Sequence, residues 1–292
     1  MKRHVLRLLA AAVLCAVAPA AVRAAPALGA EALRARHDAQ AAQLAHSPFG
    51  GPLLLQSAEA EHRIEGDVYA VIDRPFADVS AALADPGHWC DILILHLNTK
   101  QCRQVHEGGA TRVDLRVGKK QGQAPQAATL LSFRWRPATL RPDYLAVAMD
   151  AGDGPYDTRD YLLVAEAVPL DATRSFLHMG YGFRYGVASH VALQLYLGTW
   201  ARDKVGFTRE HGATSSDEGL VGGMRAVAER NTMRYYLAIQ AYLAAPGDQQ
   251  LEQRLAGWFD GTERYPRQLH EIERAAYLQM KRDEVQRQAA AH

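Results

Sequence analysis

Hydrophobic and polar positions in the first third of the chain predict one strand followed by a helix. Between residues 63 and 73, apolar side chains alternate with acidic ones, as in a half-buried strand. Pro75 suits the start of the next helix, in which Phe76, Val79 and Leu83 recur at helical spacing. The pattern therefore predicts that the core begins with a strand and a short helix.

The middle of the chain is dominated by alternating segments that predict strands. Gly, Pro and Asp residues separate these segments, and such hairpin spacing favours an antiparallel sheet over alternating strands and helices. Residues 187–201 fit a helix or a strand, and 204–209 are predicted to form a final short strand. The predicted strands of the middle region are 112–119, 127–135, 144–151, 156–168 and 174–185.

The longest periodic element is an amphipathic helix predicted over residues 219–245. Its apolar residues gather on one face at helical periodicity, and charged residues lie opposite. Asn231 is the exception, because it falls in the middle of the apolar face. Two more helices are predicted, over 248–259 and from residue 267 onward, and the polar sequence beyond Met280 is expected to fray.

This order of elements resembles the helix-grip fold of the START and birch-pollen-allergen superfamily, which includes polyketide cyclases. The resemblance lies in strand 64–73, the Pro75-Phe76 entry into the first helix, the stretch from Asp85 to Trp89, and helix 219–245. It implies an α+β fold, in which a curved antiparallel sheet wraps around the long C-terminal helix, with extra C-terminal helices added. In relatives, the cavity between sheet and helix holds lipids, sterols or polyketides.

The chain is predicted to divide into four segments. The first is a signal peptide, and the second is an N-terminal arm with a helix-forming stretch at 31–45. The third is the START-like domain, and the fourth is a helical C-terminal extension. Their bounds are 1–24, 25–59, 60–245 and 246–292.

The signal peptide is predicted from a basic start, an apolar run and small residues at a cleavage site. Lys2, Arg3 and Arg7 precede the apolar run 8–17, and Val22-Arg23-Ala24 supplies the cleavage positions. The run is shorter than the ~20 residues of a membrane-spanning helix. We therefore expect a bacterial protein exported to the periplasm, with Cys15 removed.

Charge and composition argue against nucleic acid as a partner. Loss of the signal removes four of 33 basic residues and none of the 32 acidic ones, which leaves a formal charge of −3. Nucleic-acid-binding domains usually carry a basic patch and a high isoelectric point. Hydrophobic residues make up 48% of the chain, which is enough for a core.

Two cysteines remain after cleavage, Cys90 and Cys102. In an oxidising compartment, two thiols this close in sequence and without competitors are predicted to form a structural disulfide. A redox or metal pair is the alternative, but the spacing is not CxxC and no His/Cys cluster lies nearby.

Strand 174–185 supplies one face of candidate ligand contacts. Its Met179, Tyr181 and Phe183 share a face that suits a flexible lipid or a ring system, and plain core packing gives the same pattern. His178 and Arg184 share the other face, where either solvent or an acidic headgroup would contact them.

Asn231 is interpreted as a polar anchor for a ligand hydroxyl or carboxyl in an apolar pocket, or as a side chain bonded to a loop or a buried water. Trp89 is placed near the mouth of that pocket. The predicted ligand-binding residues are Trp89, Trp135, Met149, Tyr181, Phe183, Asn231 and Tyr235.

No catalytic residue, cofactor or metal site is predicted. Ser189-His190 lacks a G-x-S-x-G elbow, the histidines show no metal-ligand spacing, and the paired glycines lack a nucleotide-binding pattern.

Three functions remain as hypotheses. The first is a periplasmic carrier of a hydrophobic or amphipathic small molecule, plausibly a lipid, which is compatible with transient membrane contact. The second is a cyclase- or hydrolase-type enzyme on the same fold. The third is an envelope interaction protein without a ligand, which would expose an apolar stripe at Leu269, Ile272 and Met280.

Overall fold

The computed structural model describes residues 27–186, 204–210 and 219–289, and all structural statements below refer to these ranges. The predicted signal peptide, the segment 187–201 and the pair Ser189-His190 lie outside the described residues. Within them, no helix is both long and apolar enough to cross a membrane.

Eight antiparallel strands form one curved sheet. They are β1 (Leu53–Ala60), β2 (Arg63–Ile72), β3 (Thr99–Glu107), β4 (Ala110–Val117), β5 (Thr129–Arg141), β6 (Tyr144–Asp153), β7 (Thr158–Pro169) and β8 (Ser175–Tyr185). Their order across the sheet is β1-β2-β8-β7-β6-β5-β4-β3, so the early strand β2 pairs with the late strand β8. Every other neighbouring pair is consecutive in sequence, as expected for hairpins.

Seven α-helices accompany the sheet in the described part of the chain. They are α1 (Ala30–Ala45), α2 (Phe76–Leu83), α3 (Pro86–Leu93), α4 (Gly223–Ala244), α5 (Leu251–Glu263), α6 (Pro266–Leu269) and α7 (Arg274–Ala289). Helix α4 packs on the concave face of the sheet against β1, β2 and β8, and it also contacts α3 and α5. This is the helix-grip architecture, and the predicted α+β fold is confirmed.

Gly66 lets α4 approach the sheet closely. A Cβ atom at this position would lie 2.3 Å from Oγ1 of Thr232 and 3.4 Å from the carbonyl oxygen of Ala228, both on α4. A glycine inside a strand commonly marks such a close approach of another element. The residue therefore sets the distance between the helix and the sheet.

Helix α1 covers the opposite, convex face. Leu33 and Leu44 of α1 pack with Tyr69 and Phe176 of the sheet in a second, smaller core. The larger core lies between the concave face and α4. The sheet is thus buried on both faces over part of its width.

The disulfide between Cys90 and Cys102 is confirmed. It links α3 to β3, and the two Cα atoms are 5.2 Å apart.

Two local predictions differ from the structure. Strand β1 begins in the segment predicted as the N-terminal arm and ends one residue beyond it. Residues 204–209 contribute one isolated bridge, from Arg209 to Leu220, in place of a strand. The division into domains stays a prediction.

The C-terminal sequence does not fray after Met280. Helix α7 continues to Ala289, and Lys281 and Glu284 are completely buried in its contact with β3. Leu269 and Met280, which the interaction hypothesis expects at the surface, are also buried. Leu269 and Met280 therefore belong to the core, and Ile272 packs against it partly buried, so the three residues do not form an exposed apolar stripe.

Candidate functional site

A row of side chains crosses the concave face of the sheet. In the strand registers, Trp135 pairs with Met149, Met149 with Leu163, Leu163 with Tyr181, and Tyr181 with Gly66. Residues paired directly across antiparallel strands project to the same face. Three of the predicted ligand-binding residues therefore line one continuous strip, which ends where Gly66 meets α4.

Helix α4 places Asn231 and Tyr235 above this strip. The rings of Tyr181 and Tyr235 are 5.1 Å apart, and the ring of Tyr235 stacks on His96 at 5.0 Å. The side-chain amide of Asn231 contacts both His96 and the hydroxyl of Tyr181, and it influences the pKa values of both. The two helix residues thus join the strip to a histidine that the sequence analysis did not single out.

Tyr235 lies deep in the protein and nevertheless keeps accessible surface. Burial raises its pKa most strongly, Tyr161 raises it further, and the charge of Arg234 partly opposes them, which is the behaviour of an interior phenol. The side chain of Tyr235 is only partly buried, and the same is true of Trp135 and Asn231. These half-buried side chains mark where surface stays accessible between α4 and the strip.

His96 forms the polar end of this region. It belongs to the apolar run that links α3 to β3, and it is 3% exposed. Its Nδ1 accepts a hydrogen bond from the backbone N–H of Asn98 at 3.2 Å, so the proton of the neutral ring resides on Nε2. No described residue lies in hydrogen-bonding geometry to that Nε2.

Several positive charges surround His96. Burial lowers its pKa most strongly, and the charges of Arg234, Lys281 and Lys120 lower it further. Glu271 is the nearest counter-charge to two of them: its carboxylate lies 2.9 Å from Arg234 and 2.6 Å from Lys120. The ring is therefore neutral in a region of positive potential.

The remaining predicted residues lie deeper in the core. Trp89 is fully buried, its indole N–H donates to the carbonyl of Leu83 at 2.9 Å, and its ring is 6.3 Å from that of Trp135. Phe183 stacks on Tyr161 at 5.0 Å. Trp89 therefore lies in the core and not, as was predicted, near the mouth of a pocket, because its ring is completely covered. The role of these residues in binding stays a prediction.

A second polar cluster lies on the convex face and corrects the prediction for His178. His178 is fully buried, so solvent does not contact it, whereas Arg184 on the same strand face keeps 37% of its side chain exposed. The Nε2 of His178 lies 2.8 Å from Oδ1 of Asp67, and its Nδ1 lies 2.9 Å from Oε2 of Glu166. Glu166 also accepts from the hydroxyl of Tyr144 and from the N–H of Gly29, just before α1.

This arrangement makes the folded state sensitive to pH. Burial alone would lower the pKa of His178, but the hydrogen bonds and charges of Asp67 and Glu166 outweigh it and raise the pKa to about 9. The imidazolium therefore stabilises the fold fully below the unfolded pKa of about 6.5, and this contribution disappears as the pH approaches 9.

We expect the free energy of unfolding to fall by about 1–2 kcal/mol between about pH 6.5 and pH 8. Urea titrations across this range measure it. The variant His178→Gln should remove most of this slope, whereas His106→Gln should keep it, because His106 is exposed and bonded only to Thr111 in the described contacts. An unchanged slope in His178→Gln would contradict the charged state of this residue.

Two surface clefts lie away from the strip. One, of about 280 Å³, is lined by the start of β1, the end of β2 and the C-terminal half of α4, including Ala244. The other, of about 430 Å³, lies between α1 and the turn from β7 to β8. Neither contains a predicted ligand-binding residue. Within the described ranges, no group of three or more His, Cys, Asp or Glu side chains is placed to hold a metal ion.

Comparison with known proteins finds weak similarity to solved structures and no matching family. No protein-family model matches the chain, and no curated protein sequence matches it. Among solved structures, the Zhui aromatase/cyclase from a Streptomyces species is 20% identical and has a TM-score of 0.33, with 45% of this chain and 74% of that chain covered.

Two further structures are similar at the same level. A truncated norcoclaurine synthase from Thalictrum flavum is 13% identical, with a TM-score of 0.32 and coverage of 49% of this chain and 91% of the other. A conserved protein of unknown function from Enterococcus faecalis is 6% identical, with a TM-score of 0.35 and coverage of 82% and 92%. TM-scores this low carry no argument about activity, so function is derived below from the residues of this chain.

Proposed function

We propose that this chain binds a hydrophobic or amphipathic small molecule, plausibly a lipid, between α4 and the concave face of the sheet. The observation that carries the proposal is the set of half-buried side chains between α4 and the strip, namely Trp135, Asn231 and Tyr235. The strip from Trp135 to Tyr181 supplies the apolar wall, and Asn231 and His96 supply the polar contacts that orient a ligand.

The proposal extends to location. The signal-like sequence at the start of the chain supports export to the periplasm, and the disulfide between Cys90 and Cys102 fits an oxidising compartment. An exported carrier would bind its ligand there and shield its apolar part from water.

Filling the cavity tests the site directly. The variant Asn231→Trp places a large ring between the helix and the strip, and Ala244→Trp places the same ring on the same helix in the surface cleft. We expect Asn231→Trp to weaken binding of Nile red, an uncharged dye, at least tenfold in a fluorescence titration, because the ring occupies its space. Ala244→Trp should bind as the parent does.

Other results would assign the protein differently. Equal binding by Asn231→Trp and the parent would overturn the interior site, and loss of binding only in Ala244→Trp would move it to the cleft. Native mass spectrometry of the purified protein should detect a co-purified apolar molecule. Conversion of that molecule during incubation would support the enzyme hypothesis in place of a carrier.

A further inference from the structure

His96 carries an N–H donor that lacks an acceptor in hydrogen-bonding geometry. The residue is 97% buried, the amide of Asn231 contacts its ring, and no described residue lies in hydrogen-bonding geometry to its Nε2. Its Nδ1 is occupied by Asn98, and Tyr235 covers one face of the ring. A buried donor left unpaired is unfavourable, so an acceptor from a ligand would be favoured there.

A second buried donor lies in the same neighbourhood. The guanidinium of Arg234 binds the carbonyl of Leu269 at 3.4 Å and Glu271 at 2.9 Å, while its Nε has no partner among the residues described. Arg234 lies about one turn from Asn231 on α4, and its positive charge lowers the pKa of His96. Both orphaned groups are donors.

The electrostatic potential at His96 is positive. Arg234, Lys120 and Lys281 all act on His96, whereas no acidic side chain ranks among the main influences on it. Glu271 is already hydrogen-bonded to Arg234 and Lys120. A cation would be repelled at this position, and a negatively charged acceptor would be attracted.

We propose that the polar end formed by His96, Asn231 and Arg234 binds the anionic head group of an amphipathic organic acid, whose apolar body lies along the strip from Trp135 to Tyr181. This inference rests on the proposed function, because it names the class of ligand for the same cavity. A carboxylate accepts several hydrogen bonds at once, which matches the unpaired N–H of His96 and the amide of Asn231. An uncharged ligand would gain the apolar contacts alone.

The first experiment compares two ligands of equal chain length. Dodecanoate carries a carboxylate, and dodecanol carries a hydroxyl on the same apolar chain. Isothermal titration calorimetry of the full mature chain at about pH 7.5 should show dodecanoate binding at least tenfold more tightly. Equal or tighter binding of dodecanol would overturn the inference and leave the proposed function standing, whereas binding of neither would overturn the proposed function itself.

Neighbouring lysines provide a matched pair of variants. The charge of Lys120 lowers the pKa of His96. Lys119 is exposed and is not among the residues that mainly shift the pKa of His96. We expect Lys120→Gln to reduce the preference for dodecanoate over dodecanol severalfold, and Lys119→Gln to leave it unchanged. Equal effects of the two variants would overturn the assignment of the polar end.

His96→Phe tests the donor itself. Phenylalanine retains an aromatic ring against Tyr235 and removes the N–H, so dodecanol should bind as in the parent while dodecanoate loses about tenfold in affinity. The exposed His106→Phe is the control. Thermal melting of both variants verifies that they fold, and an unaltered preference in folded His96→Phe would overturn the role of this residue. Should His96→Phe not fold, the two lysine variants still decide the outcome.

Discussion

Replacement of Glu284 by glutamine is expected to lower the free energy of unfolding by about 3–5 kcal/mol. The carboxylate of Glu284 lies 3.0 Å from Nζ of Lys100 and 2.8 Å from Nζ of Lys281, and all three side chains are completely buried. Glutamine has almost the same shape but carries no charge, so the variant leaves two ammonium groups buried without a counter-charge. Urea unfolding followed by circular dichroism measures the loss.

A surface ion pair between α5 and α7 provides the control. Arg282 and Glu252 approach to 2.6 Å with about half of each side chain exposed. Pairs of this kind stabilise proteins by about 0–1 kcal/mol, so Glu252→Gln should change the free energy of unfolding very little. Equal losses in Glu252→Gln and Glu284→Gln would contradict the interpretation that burial determines the effect.

The loss in Glu284→Gln should also depend on pH. Burial lowers the pKa of Lys281 to about 8, against a partial opposing effect of Glu284. A lysine with a lowered pKa destabilises the fold below that value, and stability returns as the pH rises from about 8 toward the unfolded value of about 10.4. The difference between Glu284→Gln and the parent should therefore be smaller near pH 10 than near pH 7.

This ionic cluster also determines where His96 sits. Lys281 donates to the carbonyl oxygens of His96 and Thr99 at 2.7 and 2.8 Å, and Tyr277 donates to that of Leu95 at 3.0 Å. Helix α7 thus binds the backbone on both sides of the histidine. The C-terminal extension, whose role the sequence left open, positions a residue of the candidate site.

The order of elements was predictable because most strands alternate between apolar and polar residues and α4 has a long helical periodicity, although charged residues such as Glu229 and Arg234 on that helix are also buried. The strip from Trp135 to Tyr181 follows from strand parity together with the antiparallel pairing. The disulfide followed from the count of cysteines and the expected compartment. The strands and the helix are encoded by local periodicity, and the disulfide follows from the number of cysteines in the sequence.

The incorrect predictions share a different cause: distant parts of the chain cover the residues concerned. His178 lies on a polar strand face that α1 buries, and its charge is matched by Asp67 and Glu166 on other strands. Lys281 and Glu284 look solvated in sequence, but their partners lie about 180 residues away. No periodicity of a single element carries such information.

The sequence contains a signal that points to His96. This histidine is the one polar residue in the run from Ile92 to Leu97, and an isolated histidine in an apolar run suggests a buried ring that needs partners. Its contact with Tyr235 depends on the packing of α4, which sequence alone does not determine.

Gly66→Ala is expected to lower the free energy of unfolding by about 1–3 kcal/mol, although alanine is normally favoured over glycine in a strand. The added Cβ would lie 2.3 Å from Oγ1 of Thr232 and 3.2 Å from its Cβ. Thr232 is fully buried and its hydroxyl donates to the carbonyl of Ala228 at 2.8 Å, so it has little room to move. The helix must shift away from the sheet.

A double-mutant cycle identifies the clash as the cause. Thr232→Ala removes the atom nearest the new methyl group, so it should recover about 1 kcal/mol or more of the loss in Gly66→Ala. Thr232→Val keeps a branch in that position and should recover almost nothing. If both variants recover the lost stability, the hydroxyl group and not the volume of the Thr232 side chain causes the clash at position 66. If neither does, the strain lies elsewhere on α4.

The same cycle connects packing to binding, because Gly66 stands in register with Tyr181 at the end of the strip. A helix displaced from the sheet separates Tyr235 from Tyr181, whose rings are now 5.1 Å apart. We expect folded Gly66→Ala to bind Nile red more weakly than the parent, and the added Thr232→Ala to restore binding along with stability. Restored stability without restored binding would mean that the spacing of helix and sheet does not shape the cavity.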